Sequence, residues 1–153
     1  MTDRSAAHAT FTVERTYPAA PQRVWAAFAD QTQKAKWFGG SNEGYTTVAS
    51  DFDFTVGGRE HNEGKWENGT TSQFDAIYLD IVENERIIYT YYMFIDGKKI
   101  SVSIATLEFT ASDGGTHLKL TEQGAYLDGL DNSKQREEGT NWLMDELGAS
   151  LAQ

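Results

Sequence analysis

Phe11, Val13 and Tyr17 alternate with Thr12, Glu14 and Thr16, the period-2 spacing of a strand with one face turned to a core. Both prolines follow, at Pro18 and Pro21, and Pro21 suits the first turn of a helix, where its missing N–H has no partner to lose. Val24, Trp25 and Phe28 give this helix an apolar face through Ala29. A short second helical piece is predicted over residues 33–38, stopped by Gly39-Gly40. From Tyr45 to Gln123 the runs alternate or are β-rich, with turn signals at Gly57-Gly58, Asn68-Gly69, Asp96-Gly97 and Gly114-Gly115. Six further strands are predicted there, over residues 46–49, 53–60, 72–81, 86–95, 99–109 and 116–122. In the last 20 residues Arg136, Thr140, Leu143, Leu147 and Leu151 recur at helical spacing, with Met144 widening the stripe. The pattern therefore predicts an α+β fold: one strand, two short helices, six strands in a meander and a long closing helix. A curved antiparallel sheet of this kind must bury its inner face against the last helix, and such a pairing can enclose a cavity.

Composition narrows the function. The 153 residues and 17.1 kDa suit one domain, expected over residues 10–153 behind a flexible polar tail at residues 1–9. With 13 Lys plus Arg against 23 Asp plus Glu, the formal charge is −10, which repels phosphate backbones and anionic bilayers. No nucleic-acid or membrane partner is expected. The 19 aromatic rings and 39% hydrophobic content supply a core, which excludes wholesale disorder. No apolar run is long enough for a membrane span and the first ten residues lack a signal-peptide core, so the expected location is cytoplasmic. Without cysteine there are no disulfides, thiolate nucleophiles or cysteine-based metal sites.

Several short motifs in order carry a resemblance. Tyr17-Pro18-Ala19-Ala20-Pro21 with Val24-Trp25, Trp37-Phe38-Gly39-Gly40, Gly57-Gly58-Arg59-Glu60 and Tyr78-Leu79-Asp80-Ile81 are followed by Glu85-Arg86-Ile87, Thr121-Glu122-Gln123-Gly124 and Arg136-Glu137-Glu138-Gly139-Thr140. Over residues 10–151 the chain resembles the START-like superfamily (the SRPBCC, Bet v-like group). The branch is similar to activator of Hsp90 ATPase homologue-like proteins. The resemblance implies a helix-grip fold: a curved seven-stranded antiparallel sheet wrapped around a long C-terminal helix, with a cavity that in various members holds lipids, polyketides or other apolar molecules. Fold analogy alone assigns no activity.

The residues supply candidates of their own. On the strand over residues 99–109, Ser101, Ser103 and Ala105 share a face with Leu107 and Phe109, so the inner face has small residues and room beneath the helix. The competing reading is that a neighbouring ring fills it. A two-residue turn at Asp96-Gly97 places Tyr92 beside Ser101, whereas a three-residue loop places Tyr91 beside Ser103, and the sequence leaves both open. Glu122 continues the inward parity of Leu118 and Leu120. Glu60 turns inward if the alternation from Phe52, Phe54 and Val56 survives Gly57-Gly58. Arg136 lies one turn before Gly139 and Thr140 on the apolar stripe, so an Arg–Glu pair at the cavity end is reasonable, either orienting a polar ligand group or serving only as a structural ion pair. Gly139 within a helix implies close approach of the sheet or of a ligand. Leu143 lies on the same stripe, and Trp37 and Phe38 either roof the cavity entrance or anchor their helix. Trp66, near a hairpin turn, and Trp142, rotated off the helix's apolar stripe, are left out of the candidate site.

Three functions follow. The first is a carrier or sensor for a small apolar molecule, tethered by Glu122 and Arg136. The second is a cyclase- or hydrolase-like enzyme acting on a polyketide-type substrate, with Glu122 or Glu60 as acid or base. The third is an interaction module or co-chaperone-like regulator, in which outward Ile100, Val102 and Ile104 form a stripe suited to a homodimer. No cofactor is expected, and no metal, because His8, His61 and His117 are far apart and Glu60-His61-Asn62-Glu63 alternates sides. No nucleophile elbow, Walker loop or dinucleotide fingerprint occurs, so catalysis has no positive motif.

Overall fold

The computed structural model describes residues 4–39 and 44–152. The elements run β1 (Ala6–Tyr17), α1 (Pro21–Ala29), α2 (Gln31–Lys34), β2 (Tyr45–Phe52), β3 (Arg59–Trp66), β4 (Thr71–Val82), β5 (Arg86–Ile95), β6 (Lys98–Ser112), β7 (Gly115–Leu127) and α3 (Ser133–Leu151). The seven strands form one antiparallel sheet in the order β1-β7-β6-β5-β4-β3-β2. Consecutive strands from β2 to β7 are neighbours. β1 adds beyond β7, so the α1–α2 connection must run from one edge of the sheet to the other. Among the described residues no helix is long and apolar enough to cross a membrane.

Local chemistry accounts for the ends of the elements. Pro21 sits in the first turn of α1, the Asp30 carboxylate caps α2 through the Gln33 N–H at 3.0 Å, and the Asn132 side chain caps α3 through the Gln135 N–H at 2.8 Å. Asp96-Gly97 and Asp113-Gly114 take positive φ and close two-residue hairpins. β1 starts at Ala6, paired with Leu127, ahead of residue 10, where the domain is expected to begin behind its polar tail. Gly40, the second glycine of the expected helix stop, lies outside the described residues.

The strand expected over residues 53–60 is not formed. Asp53 to Gly58 is a tight turn, with the Asp53 N–H donating to the Arg59 carbonyl and the Gly58 N–H to the Thr55 carbonyl. A Cβ at Gly58 would lie 2.2 Å from the Asp53 carbonyl oxygen, so this turn requires glycine. Val56 is 64% exposed, and β3 begins only at Arg59.

A bulge settles the register that the hairpin left open. Ile95 pairs with Lys98 across a two-residue turn, but an extra residue at Ile100 shifts the ladder, so that Met93 faces Ser101 and Tyr91 faces Ser103. Tyr91 is buried on the concave face and Tyr92 is exposed on the convex one. The same bulge buries Ile100. The expected outward stripe of Ile100, Val102 and Ile104 is therefore interrupted at its first member, leaving Val102 and Ile104 half-buried.

α3 docks through its second half. Leu147 is fully buried and Met144 nearly so, the Tyr17 hydroxyl donates to the Met144 carbonyl at 2.7 Å, and a Cβ at Gly148 would lie 3.1 Å from the Tyr17 ring. At the other end, Gly139 has no atom within 4 Å of where its Cβ would stand. The close approach of the sheet that was one of its two expected explanations is absent. Leu147→Ala should therefore cost about 2–5 kcal/mol, and Gly139→Ala should stabilise by about 0.5–1 kcal/mol. Urea unfolding of both variants checks the asymmetry, and equal responses would contradict it.

Candidate functional site

The concave face carries a cavity of about 420 Å³ between the middle strands, α2 and the first half of α3. Inward alternation on β4 and β5 supplies Phe74, Tyr78, Ile87, Tyr89, Tyr91 and Met93. Leu107 and Leu120 form part of its floor, and Gly139, Leu143 and Met144 line it from α3. Two lining tryptophans, Trp66 and Trp142, are 41% and 51% exposed and so mark the rim. Trp37 and Phe38 line the cavity and also anchor. The Trp37 indole N–H donates to the Ala27 carbonyl at 2.9 Å and its ring packs edge-on to Phe28, while Phe38 packs edge-on to Phe74.

One end of the cavity is organised by Arg136. Its Nη1 donates to the Tyr91 hydroxyl at 2.8 Å, and Nη2 donates to Ser101 Oγ at 2.9 Å and to Asp131 Oδ2 at 2.5 Å. The Tyr91 hydroxyl in turn donates to Glu122 Oε2 at 2.8 Å, and the guanidinium lies 3.6 Å from the same carboxylate oxygen. Tyr91 thus bridges Arg136 and Glu122, as a phenol can because it both accepts and donates. Burial pushes the Glu122 carboxyl above its ordinary value. Arg136 and the Tyr91 hydrogen bond only partly offset that shift.

A second cluster repeats the arrangement. Glu60 is buried because it alternates with Asn62 and Gly64 on β3, not through continuation from Val56. Its Oε1 accepts from Lys34 Nζ at 2.5 Å and from the Tyr78 hydroxyl at 2.5 Å. Lys34 is only 8% exposed, and its ammonium lies 4.7 Å from the centre of the Phe38 ring and 5.1 Å from that of Phe52. Desolvation, with Glu60 adding to it, raises the Tyr78 phenol far above its usual range. Lys34 lines the cavity while Glu60 lies behind it.

The structure thus brings Trp37, Phe38, Glu122, Arg136, Gly139 and Leu143 to the cavity wall. It places Ser101 and Ser103 elsewhere. Both face inward and are buried, but Arg136 sits on Ser101, and the Tyr126 hydroxyl converges with Ser103 Oγ over Gly124. Larger groups from α3 and β7 occupy the room the small residues leave, and the open space lies farther along the sheet. Lys34, Tyr78 and Tyr89 were not foreseen, and Trp66 and Trp142, left out of the candidates, stand at the cavity rim. Lys34 precedes Trp37 and Phe38 by three and four positions, a spacing that puts all three on one side of a helical turn.

The sequence model for activator of Hsp90 ATPase homolog 1-like proteins matches residues 18–152. The chain belongs to that family. Among solved structures, a Rhizobium loti protein is 43% identical, with a TM-score of 0.88 over 95% of this chain and 99% of its own. An uncharacterized Rhizobium leguminosarum protein is 38% identical, with a TM-score of 0.93 over 99% of both chains. A Chromobacterium violaceum protein is 26% identical, with a TM-score of 0.78 over 93% of this chain and 96% of its own. No functionally curated protein matches the chain. The family's START-like fold is one of ligand binders and regulators.

The sign of the Glu122 shift gives a pH test. Its folded value is raised, so the fold binds this proton more tightly than the unfolded chain does. Stability from Glu122 is then full below the ordinary carboxylate range and is lost as pH rises through the raised value. Glu122→Gln should flatten this part of the pH–stability curve. Arg136→Met leaves Glu122 buried without its counter-charge and should cost about 3–5 kcal/mol at neutral pH, with a smaller deficit in acid. Denaturant titrations between pH 4 and 8 check this, and a pH-independent deficit would contradict the assignment.

Proposed function

We propose that this protein is a cytoplasmic carrier or sensor that holds a small, mostly apolar molecule in the cavity between the sheet and α3. The observation that carries the reading is an aromatic cavity of about 420 Å³ with a solvent-exposed tryptophan rim. That volume falls within the range of about 300–1,000 Å³ for sites that take drug-sized ligands. Rings that pack edge-on to one another, such as Phe74 against Tyr89, offer faces and edges for an aromatic or alicyclic ligand. Gly139 leaves the α3 side of the cavity open. The acid–base alternative is less supported, because Glu60 has one oxygen held by both Lys34 and Tyr78 and lies behind the wall, and Glu122 is held by Tyr91.

Native mass spectrometry of gently purified protein, with a denatured control and organic extraction, tests the reading. The expected result is a copurified apolar species of defined mass that is depleted at least tenfold by Gly139→Leu. A Cβ at that position meets nothing within 4 Å, so the variant should hold or raise the parent melting temperature. A species carried equally by Gly139→Leu would place binding outside the cavity.

A further inference from the structure

Four tyrosines line the cavity, and three of them have committed their hydroxyls. Tyr45 donates to Asn62 Oδ1 at 3.0 Å, Tyr78 to Glu60 and Tyr91 to Glu122. Tyr89 lies between the last two on the concave face, its ring 5.8 Å from that of Tyr78 and 5.9 Å from that of Tyr91. Among the described residues its hydroxyl makes no hydrogen bond. Tyr89 is half-buried, and its hydroxyl faces the cavity without a protein partner, so a ligand's polar end can take it there in place of water.

The charges around it say what that something is. Lys34 is matched by Glu60, and Arg136 by Asp131 and Glu122, so among the described residues the wall holds no spare cation for a ligand anion. The Tyr89 phenol is itself raised far above its usual range, by burial first and then by the negative charges of Glu122 and Glu60. A carboxylate placed at this hydroxyl would lose its hydration and meet the same negative field. An uncharged hydroxyl or carbonyl would meet a phenol that can donate or accept.

Building on the proposed binding function, we propose that the Tyr89 hydroxyl is the polar anchor of the cavity, and that the ligand is an uncharged aromatic or alicyclic molecule carrying one hydroxyl or carbonyl group. The internal ion pairs engage both cations of the wall and hold Tyr78 and Tyr91 out of competition for that ligand. Tyr89 then sets the position of the polar end, and the surrounding rings take the apolar remainder.

Calorimetric titration with 2-naphthol, naphthalene and 2-naphthoate at neutral pH tests this. The wild type should bind 2-naphthol most tightly. Tyr89→Phe should weaken 2-naphthol about fivefold, the size of one neutral hydrogen bond, and leave naphthalene unchanged. Since the variant removes a hydroxyl with no internal partner, its melting temperature should hold or rise, whereas Tyr78→Phe and Tyr91→Phe should lower it. Equal 2-naphthol affinity in wild type and Tyr89→Phe, or 2-naphthoate binding as tight as 2-naphthol, would overturn the anchor while leaving the cavity reading standing. Saturable binding of none of the three probes would overturn the cavity reading itself, and the anchor with it.

Discussion

A single helix laid across the concave face of a seven-stranded sheet cannot cover it evenly, and the rest of this molecule follows from where the helix touches down. α3 is pressed onto β1 at its second half, where Gly148 lets the Tyr17 ring approach and the Tyr17 hydroxyl reaches the Met144 carbonyl. Arg15 adds a contact along the same seam through Asn141 and Asp145. The first half of the helix is not pressed down. It is propped by Arg136, whose guanidinium spans Asp131, Ser101 and Tyr91. A helix fixed at one end and propped at the other leaves the space between Gly139 and the β4–β5 surface.

Propping a helix with charge places that charge in a poor solvent, and the polar groups around Arg136 answer this. Its own partners are two carboxylates, a phenol and the Ser101 hydroxyl, and the second cluster, at Lys34, has one carboxylate and one phenol. In each case a tyrosine on the inward parity of β4 or β5 donates to a glutamate from another strand. The glutamate is thereby held in one orientation and the cation has a fixed acceptor. The same hydroxyls are removed from the list of groups a ligand could use. The polarity of the wall is therefore set less by which residues line it than by which are already engaged.

Much of this was legible in the chain, and the gaps have physical causes. The antiparallel meander and the closing helix followed from alternation and helical spacing, whereas the pairing of β1 with β7 had no signal in the pattern. The inward turn of Glu122 followed from the parity of Leu118 and Leu120, and its partnership with Arg136 from the stripe on α3. Glu60 was placed on the correct face by an incorrect path. The intervening segment is a turn, and a turn resets strand parity. The choice between Tyr91 and Tyr92 was undecidable because one bulged residue, Ile100, reverses the consequence of a hairpin whose length could be read. The small-residue face at Ser101 and Ser103 was visible, but a side chain's absence does not say which neighbour fills the gap. Arg136 and Tyr126 do so from elements remote in sequence. Lys34 was passed over because an isolated lysine in a four-residue helix reads as a solvated group until the rings of Phe38 and Phe52 close over it.

The cavity also bears on stability. At about 24 cal/mol per Å³, a sealed and empty void of 420 Å³ would cost on the order of 10 kcal/mol. That is comparable with the whole net stability of a typical domain, about 5–15 kcal/mol. Such a void is tolerable only if it is not sealed, and the exposed Trp66, Trp142 and Gly139 show that it opens to water. Water in an aromatic space with few free polar partners gains little there, so an apolar molecule of matching size replaces it at small loss and adds the dispersion contacts the rings lack. Occupancy and folding are then linked: whatever fills the cavity binds only the folded chain and stabilises it in proportion to its affinity and concentration. On the proposed reading, the space left by the propped helix is where a ligand would add stability to this fold.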